Sequence, residues 1–197
     1  MTAFLLVFSG FLAGSVPFSW IFSKIGAKRD LRSIGDGNPG AWNAFRAGGA
    51  RTGVPSLLLD VAKGALPAAL AFWVFSLSGF VLAMAMLAPV LGHAFSPWLR
   101  FRGGKAIATT FGVWAGVTRW EGPLVMAFAL LLLLRFQKND AWTTVLAALT
   151  MTLWMTVFRH TAASGGLWLA AWGNLGLLIW THRSDLRQPM RWRRGAT

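Results

Sequence analysis

The chain has 197 residues, 55% of them hydrophobic and 13% charged, with a formal net charge of +13. So apolar and charge-poor a composition excludes an ordinary soluble domain. Its basic residues sit between apolar runs rather than on one face of a soluble fold, which argues against a nucleic-acid binder. Cysteine is absent, which removes disulfide and thiolate chemistry, and with three histidines, His93, His160 and His182, no metal site is expected.

The first apolar run, Thr2 to Ile25, has no basic residue before it and Lys24, Lys28 and Arg29 at or after its end. A signal peptide has the opposite charge order, so this run reads as a retained helix, kinked at Pro17. Residues 26–53 form the longest polar segment, rich in Gly, Arg and Asn. A second helix is expected at about Val54–Phe75 and a third at about Gly79–Leu99, followed by a loop from Arg100 to Lys105. Ala106–Val117 and Pro123–Leu134 are each about 12 residues, roughly 18 Å of helix, short for a bilayer of about 30 Å. They form either a thin or a re-entrant hairpin, and both outer ends of the pair lie on one side. Helices at about Ala141–Phe158 and Ala162–Trp180 and a basic tail, 181–197, complete the chain.

These runs predict an all-α integral membrane protein of about seven transmembrane helices, two of them short, in a single domain over 1–197. With the N-terminus outside and the C-terminus cytoplasmic, every basic residue except Lys63, Arg119 and Arg159 falls on the inner side, so the positive-inside rule selects that orientation. Trp120, Trp142, Trp168 and Trp180 lie near predicted span ends, where interfacial aromatics belong.

The segment from Arg32 to Arg46 is the richest in chemistry. Its glycines, Gly37 among them, permit tight turns and present backbone amides to an anion; Asn38 and Asn43 add neutral donors, and Arg46 can grip a phosphate through two nitrogens. The competing reading is a glycine-rich surface loop with topogenic arginines. Gly103-Gly104-Lys105, opening a helix, is a second anion site, where free amides, helix dipole and an ammonium converge. It lacks nucleotide P-loop spacing, so ATP is not inferred. Asp60 and Lys63, three apart in an apolar helix, share a face and can pair, as a functional or a purely structural unit. His93 lies near the Gly-Gly-Lys turn, and His182 begins the tail; either is a candidate acid or base, or a packing residue. His160, on the outer side, reads as a packing residue. Together the inner loops suggest a basic, amide-rich pocket for phosphorylated substrates with an apolar part in lipid. Without a Ser-His-Asp elbow or a cysteine, catalysis there would act by positioning and charge stabilisation.

The segments Gly14-Ser15-Val16-Pro17-Phe18, Asp30 through Arg46, Leu59 through Gly64, and Gly92-His93 through Lys105 resemble, in order and spacing, the motifs of the bacterial acyl-phosphate:glycerol-3-phosphate acyltransferases, the PlsY family. The resemblance spans nearly the whole chain. It implies a plasma-membrane enzyme with active-site loops on the cytoplasmic side. Such an enzyme moves an acyl group from acyl phosphate to the 1-hydroxyl of glycerol 3-phosphate, giving lysophosphatidic acid for phospholipid synthesis. No cofactor or metal is implied, and the enzyme that produces acyl phosphate is a candidate partner. By the same resemblance, Arg46, Lys105, His93 and His182 are the catalytic candidates. Asp36, Gly37, Asn38, Asn43, Lys63, Gly103 and Gly104 are the candidates for binding substrate or phosphate.

The chain also departs from the pattern. Asp36 stands for a serine, Trp42 for a threonine, Ala106 for a glycine and Asp140 for a loop serine, and the tail reads His182-Arg183-Ser184-Asp185 where the family has His-Arg-Glu-Asn. Carboxylates at Asp36 and Asp140 are expected to oppose bound phosphate unless protonated or paired with arginine. The alternative expectation is therefore a catalytically degenerate member that binds another phosphorylated lipid precursor or serves as a membrane interaction protein.

Overall fold

The computed structural model describes residues 1–159 and 164–192. His160 and the end of the basic tail, with Arg193 and Arg194, lie outside them. Among the described residues the main elements are helices: α1 (Thr2–Ser15), α2 (Phe18–Gly26), α3 (Ala41–Gly48), α4 (Ala50–Ala69), α5 (Gly79–Ala94), α6 (Ile107–Thr118), α7 (Glu121–Phe136), α8 (Asp140–Phe158), α9 (Ser164–Thr181) and α10 (Arg183–Leu186).

Among the described residues, four stretches are long and apolar enough to cross a bilayer: Thr2–Gly26, Ala50–Val74, Gly79–Leu99 and Asp140–Phe158. Their outward faces carry exposed Phe8, Leu58, Leu66, Phe80 and Leu153, as a bundle facing hydrocarbon requires. The short pair predicted from the sequence is present as α6 and α7, reversed by Arg119 and Trp120, both at positive φ. At 16 residues, α7 is longer than expected.

Pro17 breaks the first span as anticipated, because it has no N–H to continue the ladder. At the break the Val16 carbonyl accepts the Phe18 amide at 3.1 Å and Lys63 Nζ at 2.7 Å. The polar segment 26–53 holds more order than its composition suggested. Asp30 caps a short 3₁₀ turn, Leu31–Ser33, through the Arg32 amide; α3 follows, and α4 starts at Ala50 rather than Val54. Leu31, Ala44 and Ala47 form a small core of their own under this region.

Inside the bundle, small residues bring helices together, as is usual where lipid offers no hydrophobic drive. Gly64 of α4 abuts the Thr109 backbone of α6, while Gly112 and Gly116 of α6 abut Val61 and Ala65 of α4. A Cβ at any of these would meet backbone. The main core includes fully buried Trp114, whose indole N–H donates to Asn174 Oδ1 at 3.0 Å; Asn174 in turn donates to Thr110 at 3.1 Å, tying α9 to α6.

Candidate functional site

A cleft of about 400 Å³ opens at the end of the bundle where α2, α5 and α9 finish. Three separate pieces of chain meet there: the loop 34–40, the Gly103-Gly104-Lys105 turn and the start of the tail.

The loop is shaped first. Gly35 and Gly37 take φ of 60° and 74°, which favours glycine at both positions. Asn43, 3% exposed, braces the loop from α3: its amide donates to Asp36 Oδ1 at 2.7 Å and to the Asn38 carbonyl at 2.9 Å. Asn43 was expected to face the anion; both its donor hydrogens are instead spent inside the loop. The Asn38 side-chain oxygen accepts the Lys105 amide at 3.1 Å and so locks loop to turn.

The turn was expected to present free amides. The Gly103 N–H donates to the Ala94 carbonyl and the Gly104 N–H to the His93 carbonyl, each at 3.1 Å. With the Lys105 amide also engaged, the recognition group that remains here is the ammonium. It lies 2.6 Å from Asp36 Oδ2 and 2.7 Å from Asp185 Oδ2. The expected softening of Asp36 is thus achieved by lysine rather than arginine. Burial pushes the Asp36 carboxyl up, but Lys105, Asn43 and the Asn38 amide together hold it below its ordinary value. Burial likewise lowers Lys105, and the two carboxylates more than reverse that, leaving it above its ordinary value.

His182 is buried just beyond α9. Nδ1–H donates to the Leu178 carbonyl at 2.8 Å, which fixes the tautomer and leaves Nε2 buried with no hydrogen-bond partner. Burial depresses its basicity.

His93 and Lys63 lie below the cleft instead of lining it. Lys63 Nζ is 2.6 Å from Asp60 Oδ1, as their spacing predicted; Ser19 donates to Asp60 Oδ2 at 2.8 Å, and His93 Nδ1 is 3.8 Å from Asp60. All four side chains are buried. Arg46 is not among the cleft-lining residues: it is exposed, with its guanidinium against Gly35 of the loop and 5.8 Å from the centre of the Trp42 ring. Asp140 is exposed at the first turn of α8, where the helix dipole favours a carboxylate, and it is not among the cleft-lining residues. Ser184 is exposed. The cleft does receive Arg102 and Arg183, the latter stacked 4.5 Å from the Trp180 ring centre.

One set of residues escaped the sequence reading. Gln137 Oε1 accepts the amides of Lys138, Asn139 and Arg191 at 2.8, 3.0 and 2.9 Å. Asn139 donates to the Asp185 and Gln188 carbonyls, and the Trp142 indole N–H also donates to Gln188. The α7–α8 loop thereby clasps the tail that carries His182, Arg183 and Asp185. Nothing in spacing signals this, because the partners are about fifty positions apart; Asp185 itself stood out only as a departure from a motif.

Comparison with known proteins bears on the family and the fold. Residues 4–191 match the family model described as glycerol-3-phosphate acyltransferase. A protein named glycerol-3-phosphate acyltransferase 1 from Thermotoga maritima is 41% identical over 206 aligned residues, covering 97% of this chain and 99% of that one. A glycerol-3-phosphate acyltransferase from Rhodopseudomonas palustris strain HaA2 is 37% identical, covering 91% and 87%. The crystal structure of PlsY, an integral membrane glycerol 3-phosphate acyltransferase, in its glycerol 3-phosphate form superposes with a TM-score of 0.85 at 31% identity, over 95% of this chain and 91% of that one. Its lysophosphatidic acid form gives 0.84 at 29% identity, over the same shares.

Proposed function

The chain belongs to the glycerol-3-phosphate acyltransferase family, and from that premise we propose how this membrane protein acylates glycerol 3-phosphate. The donor is acyl phosphate. The 1-hydroxyl oxygen attacks the acyl carbonyl carbon, a C–O ester bond forms, and the acyl–phosphate C–O bond breaks. Inorganic phosphate leaves, and lysophosphatidic acid remains for phospholipid synthesis. The hydroxyl proton passes to a phosphate oxygen of the substrates, so no strong protein base is required.

The Lys105 ammonium, held in the cleft by contacts from the loop and the tail, carries this reading. It binds a phosphate and offsets charge that builds on the leaving group, with Arg102 and Arg183 lining the same cleft. His182, 2% exposed and oriented by Leu178, braces the start of the tail from which Asp185 reaches Lys105. Asn38, Asn43, Gly37, Gly103 and Gly104 act by fixing loop and turn, while Lys63 and His93 support them from beneath. Arg46, outside the cleft, serves as an entry-side cation. The whole chain acts as one domain in the bacterial inner membrane, N-terminus outside, with the cleft cytoplasmic.

The deciding experiment supplies acyl phosphate and labelled glycerol 3-phosphate to purified protein in detergent or lipid. Lysophosphatidic acid is expected from the native chain and not from Lys105→Ala; a folded native protein without product overturns the donor assignment. Sidedness is tested separately, since the chain has no cysteine to interfere. An impermeant thiol reagent added outside sealed spheroplasts should label Arg119→Cys and spare Ser33→Cys.

A further inference from the structure

We propose, resting on the acyltransferase reading above, that Asp185 is a specificity-determining residue. With Asp36 it holds Lys105 in a clamp that lowers the affinity of the cleft for phosphate and admits doubly charged phosphate in preference to singly charged phosphate. An ammonium has three hydrogens to donate. Two of them face carboxylate oxygens, at 2.6 Å on Asp36 and 2.7 Å on Asp185, so this cation meets an incoming anion already compensated.

The two partners are not equally fixed. Asp36 Oδ1 is tied to Asn43 and to the Asn38 amide, so its carboxylate is held at both oxygens. Asp185 is held through its backbone: its amide donates to the His182 carbonyl at 2.9 Å and its own carbonyl accepts from Asn139 at 3.2 Å. Its carboxylate is therefore the one a ligand displaces first. The remaining cations differ in availability. Arg32 is engaged bidentately by Asp30 and Arg183 donates one Nη1 hydrogen to the Trp180 carbonyl, leaving Arg102 and the other hydrogens of Arg183 to attract the ligand. A terminal phosphate with two charges and three oxygens can replace Asp185 on Lys105 while touching an arginine. A phosphodiester, with one charge and two free oxygens, exchanges one carboxylate for another anion of equal charge and gains little.

The test compares the native chain with Asp185→Asn, and with Asp185→Glu as the charge-retaining control. Dissociation constants for glycerol 3-phosphate, inorganic phosphate and dimethyl phosphate are measured by calorimetry in detergent, alongside KM, kcat and melting temperature. Asp185→Asn should bind glycerol 3-phosphate about tenfold more tightly, lower KM in parallel, and narrow the preference for inorganic over dimethyl phosphate. Asp185→Glu should remain near native. If Asp185→Asn keeps the native melting temperature and binds no more tightly, the proposal is overturned. If Asp185→Asn does not fold, Asp185→Ser carries the same expectation. Should native protein make no lysophosphatidic acid while Asp185→Asn still binds more tightly, the clamp stands and the reaction assignment falls.

Discussion

Gly104 lies against the imidazole of His93, so closely that a methyl group on this glycine would overlap Nε2, while the Gly104 amide donates to the His93 carbonyl. The histidine thus supports the turn from below with both ring and backbone. Its 7% exposure leaves no surface from which it could meet substrate without moving that turn.

Gly104→Ala must lift the turn or push the ring aside, and either movement displaces the adjacent Lys105. A displacement of about 1 Å at a positioning group can cost on the order of a hundredfold in rate. Such a loss is expected, with partial recovery when His93→Ala makes room. Steady-state rates of the two single variants and the double variant check this; a fully active Gly104→Ala would sink it.

How much of this was legible in advance differs by element. The helical spans followed from apolar run length, the Pro17 break from the chemistry of proline, and the Asp60–Lys63 pair from a separation of three on one helix face. The Arg32–Arg46 and Gly103–Lys105 segments pointed to the cleft because turn-forming glycines and cations cluster there. What the glycine amides bond to was not legible, since the acceptors on His93 and Ala94 belong to the preceding helix. Arg46 looked like a phosphate ligand by type, yet its position depends on how α3 is rotated against α4. The tail clasp was hidden for a related reason: its bonds join side chains to backbone amides and carbonyls, which carry no sequence signature.

Lys63→Met should be strongly destabilising. It removes the charged partner of a carboxylate that is 1% exposed, and one of the two donors to the Val16 carbonyl at the Pro17 break as well. Breaking one side of a buried ion pair costs about 3–5 kcal/mol, whereas replacing both sides can be nearly neutral. The double variant Asp60→Leu/Lys63→Met should therefore recover much of the loss, read as melting temperature in detergent. A single variant as stable as native would show that the pair contributes nothing.

Gln137→Ala removes one oxygen that accepts three amides from two segments, and so loosens the tail from the α7–α8 loop. Because Asp185 and His182 ride on that tail, the expected effect is a fall in kcat of about tenfold or more, larger than the change in KM. Gln137→Glu, which keeps the acceptor, should restore most of the rate. Hydrogen exchange gives a second readout, with faster exchange expected at the Lys138 and Arg191 amides, the two that link the strands of the clasp. Unchanged exchange and rate would remove the clasp from the mechanism.

The Asp36–Lys105 contact makes a signed prediction for pH. Asp36 is held below its ordinary value, so its contribution to stability is complete above the unfolded carboxylate value of about 3.9 and disappears as pH falls through the lower folded value. Lys105 is held above its ordinary value, so its contribution is complete below about 10.4 and disappears as pH rises through the higher folded value. The difference in melting temperature between native protein and Asp36→Asn should be flat from about pH 5 to 9 and shrink towards acid. Both side chains are partly solvated, 23% exposed for Lys105 and 47% for Asp36, so the plateau should be small and should decline with added salt. A difference that persists unchanged through acid would mean that Asp36 stabilises the loop through its shape and its bonds to Asn43 and the Asn38 amide, with its charge contributing nothing.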